Sequence, residues 1–532
     1  MTSSLERVFK SSKPMPNRYT RLDLGRNDRG SFQVCIRNSS SENLEVEVEC
    51  CSDALDVAVR RVGHVPVPHF NTETNEDQLD GFGQIPGFVP DPLFTDTKAT
   101  LVRNETMTYW VSVKTSQDCP VGVHRVEFIF RVSDGQEYTL EADVFVYPVV
   151  LEPRRDFPVT HWFYTDALCD WYGVEPFDEG FWEVVKPYIL DLAEHGTNVL
   201  HTPLFTPPTD GVKRPTQLLR IRRNGESYEF DWSDVKRWVK LAQDCGTEYF
   251  EWTHLFSQWG VEYGIRIYEN YDGEYEGRLL WPPETPADSE VYKGFLAQFL
   301  PSFKDFLNAE GLMETSFFHL SDEPHGEVHL ANYRKARMIL AELAPWMKVM
   351  DALSELSFAA SGLTDIPVAS VRTSKQFYEA GIPRWDYFCC GPRGEFLNRL
   401  VDTPLAKIRG AGWLFYRFES LGFLHWGYNY WYKRATTQLI DPYKVLDAEA
   451  WPGWAYGDTF VVYPGDDGPV SSIRWEVFAE SLNDYALLQT LQISPDDCNL
   501  ALFKAYDDYP KDGSWYQLTR ALLLANASKW VG

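Results

Sequence analysis

Residues 317–324 read Phe-Phe-His-Leu-Ser-Asp-Glu-Pro. A short apolar run stops at two adjacent carboxylates, Asp322 and Glu323, and Pro324 then removes the backbone donor a strand would need. A pattern of helical period follows within a few residues, with Val328, Ala331, Ala336, Ile339, Leu340 and Leu343 near one face. A strand with a polar end followed by a helix is how a barrel strand delivers groups into a cleft. Two carboxylates at one such end are also the minimum equipment for cleaving a glycosidic bond. Taken alone, the pair would serve equally well as a solvated start to the next helix. The rest of the chain decides between the two.

Around this stretch the rhythm is strand, helix, strand, helix. Candidate strands lie at 159–164, 198–205, 248–256, 316–321, 348–353, 368–371, 387–390 and 413–418. Candidate helices lie at 177–195, 232–245, 291–309 and 328–343, with Asp231 placed to cap the second. Eight strands predict a (β/α)₈ TIM-type barrel over residues 155–465, with a reduced helix between strands six and seven. A doubly wound sheet is the rival fold, but no Gly-rich fingerprint follows the first strand.

Upstream of Leu151-Glu-Pro-Arg-Arg-Asp-Phe-Pro the period is two. Ser31-Phe-Gln-Val-Cys-Ile, Leu44-Glu-Val-Glu-Val-Glu and Thr108-Tyr-Trp-Val-Ser-Val alternate across the faces of half-buried strands. A β-sandwich over residues 1–150 is predicted. The stretch 81–92 reads as a long Pro/Gly loop leaning on the second domain. Helical patterns at 473–491 and 518–524 predict a helical C-terminal region, 466–532, packed on the barrel. The chain is therefore read as multidomain.

Composition narrows the function. The net charge is −27 and no long basic run exists, which excludes the Lys/Arg footprint of a nucleic-acid binder and disfavours anionic membranes. No run approaches 18 apolar residues, so no membrane insertion is expected. Nine scattered cysteines without framework spacing, and an N-terminus lacking an apolar signal core, point to the cytoplasm. Aromatic residues make up 15% of the chain, 19 of them Trp, which suits platforms for the apolar faces of sugar rings.

The predicted strand ends are polar and aromatic together. Strand one carries His161 and Trp162, strand two His201, and strand three Glu251, Trp252 and His254. Strand four carries His319, Asp322 and Glu323, strand five Asp351, strand seven Asp386 and Tyr387, and strand eight Trp413, Tyr416, Arg417 and Glu419. A lone histidine at a strand end is often a hydrogen-bonded core residue; convergence at one end of the barrel is the signal. A metal held by His161, His201, His254 and His319 is the competing reading, set aside because their aromatic neighbours suit a sugar pocket better. No metal or other cofactor is expected. HExxH, GxSxG and Walker patterns are lacking.

His319-Leu-Ser-Asp-Glu-Pro, Pro86-Gly-Phe-Val-Pro-Asp-Pro-Leu, Tyr463-Pro-Gly and Ser472-Ile-Arg-Trp-Glu-Val-Phe-Ala-Glu-Ser-Leu-Asn-Asp-Tyr together resemble glycoside hydrolase family 123, over most of residues 85–490. The resemblance implies a β-sandwich joined to a (β/α)₈ barrel and a β-N-acetylgalactosaminidase that retains configuration by substrate-assisted catalysis. The substrate's own 2-acetamido oxygen would attack C1. Asp322 would hold the amide N–H, and Glu323 would protonate the leaving oxygen and then deprotonate water. The implied substrates are small glycans or glycoconjugates ending in β-linked N-acetylgalactosamine. A glucosamine-type hexosaminidase and a non-catalytic glycan-binding barrel are the alternatives. For the acetamide pocket the expected donor is Tyr387, with Tyr416 as alternative, and the expected walls are Trp413, Trp426 and Trp252; His319, Asp351 and His254 complete the expected binding set. Glu251 and Glu419 are the substitutes should Glu323 not be the acid. Arg393 and Arg417 are the local cations that could favour an acidic substrate.

Overall fold

The computed structural model describes residues 1–13, 19–52, 54–71, 85–209, 213–272 and 278–530. Two five-stranded sheets come first. One pairs Thr2–Ser3, Arg29–Arg37, Thr106–Lys114, Asp56–Val67 and Gly87–Phe94, in that order and all antiparallel. The other pairs Tyr19–Arg26, Glu137–Val150, Gly122–Val132, Leu44–Cys51 and Lys98–Leu101. Alternation along these strands turns Val34, Val111 and Val113 of one sheet and Val126, Phe128 and Val144 of the other into a shared core. The expected Pro/Gly loop is in part a strand. Residues 87–94 pair with Asp56–Val67, while 81–84 lie outside the described residues. The strand does lean on the rest of the molecule, since Leu93 N–H donates to Ser471 O at 2.9 Å.

The barrel follows. Its strands one to eight are Val159–His161, Val199–Thr202, Tyr249–Trp252, Ser316–Phe318, Met350–Ala352, Ile366–Ser370, Trp385–Tyr387 and Phe423–His425. Neighbours are parallel from strand four back through strand one to strand eight and on to strand five. A single parallel bridge, Phe318 to Val349, joins strands four and five and completes the ring. The intervening helices include Glu179–Glu194, Ser233–Asp244, Glu290–Ala309 and Gly326–Leu343, and strands six and seven are joined by only Ser374–Glu379. Asp231 falls one residue short of the expected cap: Trp232 holds the N-cap position of Ser233–Asp244 without a side-chain bond, and Asp231 Oδ1 accepts Ser233 N–H at 2.9 Å from just outside it.

One strand was misplaced. Residues 413–418 are not strand eight but belong mostly to the helix Leu405–Arg417, so Trp413, Tyr416 and Arg417 are helical. Every residue from Leu405 to Phe415 is buried. A helix covered on all sides carries no amphipathic stripe for the eye to find. It lies against the helix Ile473–Thr490 so closely that a Cβ at Gly412 would sit 1.8 Å from Ser481 O. Only glycine permits that approach.

The helix Ile473–Thr490 is buried along most of its length because it lies between sandwich and barrel. Arg474 donates from Nε and Nη2 to the Asp91 carboxylate of the sandwich at 3.0 Å each, and Tyr463 Oη donates to the same group at 2.6 Å. Glu476 meets Arg29 and Arg60 of the sandwich at 2.7 Å each and His195 of the barrel at 2.9 Å. Arg409, Asp484, Arg520 and Asp28 form a further buried network at the same junction. No helix among the described residues is long and apolar enough to cross a membrane.

Candidate active site

A cavity of about 110 Å³ opens at the C-terminal ends of the barrel strands. Trp162 enters it from after strand one, Gln258 and Trp259 from after strand three, and Asp322 and Glu323 from after strand four. Tyr387 ends strand seven, and Leu424 and Trp426 belong to strand eight and its end. Ala352 at the end of strand five, with Cys389, Cys390 and Trp454, completes the wall.

Asp322 and Glu323 are neighbours in sequence, and a continuing strand would send them to opposite faces. Strand four ends at Phe318, and Glu323 takes a left-handed backbone with φ of 43°. That conformation is disfavoured for a residue with a Cβ and persists where the surroundings hold it. Here it lets both carboxylates line one cavity. Gln258 Nε2 donates to Asp322 Oδ2 at 2.8 Å, and Trp259 N–H donates to Asp322 O at 3.0 Å. Tyr387 Oη donates to Glu323 Oε1 at 3.0 Å and lies 3.0 Å from Ser354 Oγ. Burial, and then the Glu323 charge, raise the Tyr387 phenol well above its ordinary range, so it remains a donor. Trp426 is pinned by Nε1 to Asp458 Oδ2 at 2.8 Å and meets Trp454 edge-on at 5.0 Å between centroids.

Beneath the cavity lies a charged layer inside the barrel. His319 donates from Nε2 to Glu251 Oε1 at 2.6 Å and from Nδ1 to Asp351 Oδ1 at 3.2 Å. Glu251 also accepts from Trp162 Nε1 at 2.8 Å and from the Thr160 hydroxyl. Asp351 accepts from Tyr333 Oη at 2.6 Å. Burial alone would lower the His319 pKa, but the hydrogen bonds to Asp351 and Glu251 reverse that and raise it to about 10. Burial raises Asp351; for Glu251 the same burial is outweighed by His319, which holds it below the carboxylate norm. His254 stacks on His319 with centroids 4.2 Å apart, and burial and then the His319 charge keep it neutral.

The expected site residues therefore separate into groups. Asp322, Glu323, Tyr387 and Trp426 meet at the cavity. His319, Asp351 and His254 are not at its wall; they lie in the buried layer below, where their bonds hold the strand ends. Trp252 points out of the barrel, because Glu251 beside it points in; its ring packs on Phe303 and its Nε1 donates to Ser316 Oγ at 2.8 Å. Trp413 packs against Phe503 and Trp515, and Tyr416 Oη donates to Ile493 O at 2.5 Å, both away from the cavity. Of the substitute acids, Glu251 is sealed in the charged layer, and exposed Glu419 follows the helix that precedes strand eight, so it belongs to the opposite end of the barrel. Arg393 spends its guanidinium on the carbonyls of Cys390, Pro452 and Gly453, and Arg417 lies near Tyr378 and Asp496. Sequence reading missed Gln258, Trp259, Ser354 and Trp454. They lie on loops with no periodicity to read, although a tryptophan followed by glycine just past a strand end, in Ser257-Gln-Trp-Gly, was a usable sign.

A metal, if one were held here, would fall to His254, His319 and Asp351, whose donor atoms lie within 4.8 Å of one another. His319 does not suit that role. Both of its nitrogens donate protons to carboxylates, so neither offers a lone pair.

The model of the glycoside hydrolase 123 catalytic domain matches residues 162–491, more than half of the chain. The chain belongs to glycoside hydrolase family 123. The family 123 enzyme from Clostridium perfringens, described in a structural analysis of glycolipid glycan hydrolysis, superposes with a TM-score of 0.74 at 14% identity, covering 99% of this chain and 97% of that one. A xyloglucanase of family 5 from Bacteroides ovatus gives a TM-score of 0.35 at 9% identity, covering 88% of this chain and 98% of that one. No curated protein sequence matches. Membership in family 123 fixes the reaction class as glycoside hydrolysis, and the sandwich-plus-barrel architecture agrees with it.

Proposed function

We propose that this family 123 enzyme is a retaining exo-β-N-acetylgalactosaminidase that uses the substrate's acetamide as its nucleophile. The observation that carries the reading is the pair Asp322 and Glu323, consecutive in the chain at the end of one strand and both lining one cavity. Two carboxylates arranged to attack and protonate would flank the scissile bond, about 5 Å apart or more. Adjacent ones suit a reaction in which neither attacks C1.

In that reaction the acetamide oxygen bonds to C1 as the glycosidic C–O bond breaks. Glu323 gives its proton to the departing oxygen. Asp322, oriented by Gln258, accepts the amide N–H and stabilises the positive oxazolinium. Glu323 then takes a proton from water as the water oxygen bonds to C1 and the bond from C1 to the acetamide oxygen breaks, which restores the acetamide and leaves the sugar with retained configuration. Tyr387 fits the cycle through its present partner. Protonation of Glu323, required of the acid, frees the phenol hydrogen for the acetamide carbonyl. Trp162, Trp426 and Trp454 supply apolar walls for the ring and the methyl group. A cavity of about 110 Å³ is far too small to enclose a stretch of polymer, which favours action at a chain end. The Clostridium relative's action on glycolipid glycans favours a glycoconjugate substrate. Nine free cysteines favour a reducing compartment, the cytoplasm, for the enzyme.

Cleavage of aryl 2-acetamido-2-deoxy-β-galactoside should exceed that of the gluco epimer. Equal or reversed preference refutes the galacto assignment. A barrel that only binds glycans would turn over neither.

A further inference from the structure

Trp259 is exposed, at 51%, and yet it lines the catalytic cavity. Trp162, on the same wall, is 3% exposed. The first is therefore the rim and the second the floor. Trp259 is not a loose surface residue. Its backbone N–H holds Asp322 O at 3.0 Å, and its neighbour Gln258 holds the Asp322 carboxylate. The loop is closed at its base by bonds between Ser257 and Tyr263, and Asn332 of the helix Gly326–Leu343 holds Gly260 O at 2.9 Å. Trp259 and Val261 both take left-handed backbones, with φ of 62° and 53°. A large apolar ring is thus presented to solvent at a fixed place beside the two carboxylates, and no described aromatic ring packs on it.

We propose that Trp259 is the platform on which the first sugar of the leaving group stacks, so that the enzyme reads at least two sugars and its substrate class is a neutral oligosaccharide rather than any glycoside of the terminal residue. The proposal rests on the exo-acting reading above. A terminal sugar enters a closed cavity first and takes the floor. What remains at the rim is the group that departs, next to Glu323, which must protonate its oxygen. The apolar C–H face of a pyranose is the surface that an indole matches. Unlike a cation, the ring makes no demand for charge on the partner.

The test compares kcat/KM for two substrates: a disaccharide of N-acetylgalactosamine β-linked to a neutral hexose, and the methyl β-glycoside of the same sugar. Their alkyl leaving groups need the same protonation, so their ratio isolates the second ring. The N-acetylglucosamine pair is run in parallel. The wild-type enzyme should prefer the disaccharide, and Trp259→Ala should reduce that preference about tenfold, as expected for one lost stacking contact. Trp259→Phe should recover part of it. An unchanged ratio, with or without equal losses on both substrates, overturns the proposal, because the ring would then shape only the loop or the inner pocket. If only the glucosamine pair is cleaved, the sugar assignment falls and the ratio in that pair decides the role of Trp259. Turnover of neither pair by the wild-type enzyme overturns both.

Discussion

Glu323 and Asp322 differ in what their loss should do. Glu323→Gln should cost roughly 10²–10⁴-fold on glycosides with poor leaving groups, the usual worth of general acid–base help. Activated aryl leaving groups need little protonation, so their first step should suffer far less. Asp322→Asn should depress both classes, since it removes charge from the intermediate rather than from the leaving group. Steady-state rates on one alkyl and one aryl substrate separate the two; full activity of Glu323→Gln on natural glycans would send the acid role elsewhere. Tyr387→Phe gives a third signature. Its hydrogen matters most as the acetamide oxygen attacks, so kcat should fall more than KM rises. A change confined to KM would assign the phenol to ground-state binding instead.

At the scale of elements, the charged layer of Glu251, His319 and Asp351 joins strands three, four and five. Removing the imidazolium by His319→Ala would leave two buried carboxylates without their shared cation, at a cost of about 3–5 kcal/mol. The pH dependence has a definite sign. The folded-state pKa lies near 10, above the ordinary 6.5, so this contribution is fully present below pH 6.5 and is lost as pH rises through about 10. Urea midpoints at pH 6, 8 and 10 should fall for the wild type and flatten for the variant over that span. A parallel fall in both would place the alkaline sensitivity elsewhere, with buried His195, raised to about 9, the next group to test.

The same scale explains what was legible in the sequence. Strand four could be read because its end is marked by Asp322, Glu323 and Pro324. The four long barrel helices could be read from their period. Strand eight could not: Phe423–His425 is three residues long, whereas Trp413-Leu-Phe-Tyr-Arg-Phe418 has the aromatic richness of a strand and is a helix buried by its neighbours. That one displacement sent Trp413 and Tyr416 into the expected pocket, while Trp426, three residues beyond Phe423, was retained. Trp252 failed for a simpler reason. Glu251 and Trp252 cannot both face inward on one strand, and the carboxylate took the inside. Gln258 and Ser354 act through hydrogen bonds between loops, which no period encodes.

Across the whole molecule, the segments that carry the family resemblance meet at one place outside the catalytic cavity. Asp91, Tyr463 and Arg474 come from three of the quoted motifs and share a fully buried ion pair. Arg474 also donates to the carbonyls of Gly457, Arg399 and Phe460, so it ties the sandwich both to the segment between strands seven and eight and to the long segment that follows strand eight. Arg474→Met should lower stability by about 3–5 kcal/mol, because the buried Asp91 carboxyl loses its ion-pair partner. Calorimetry should show one transition in both proteins, moved to lower temperature in the variant. Two separated transitions in the wild type would mean that sandwich and barrel melt independently.

Fixing the junction with buried charge has an engineering consequence. The sandwich cannot be treated as a cassette, added to or stripped from the barrel as a tethered sugar-binding module could be. A chimera that replaces residues 1–150 must bring its own counterparts to Arg474 and Glu476 or leave those groups stranded in the interior. Variation is far cheaper at the rim, where loops such as 257–263 can be exchanged without opening that junction, and it is there that this scaffold is free to acquire new leaving-group preferences.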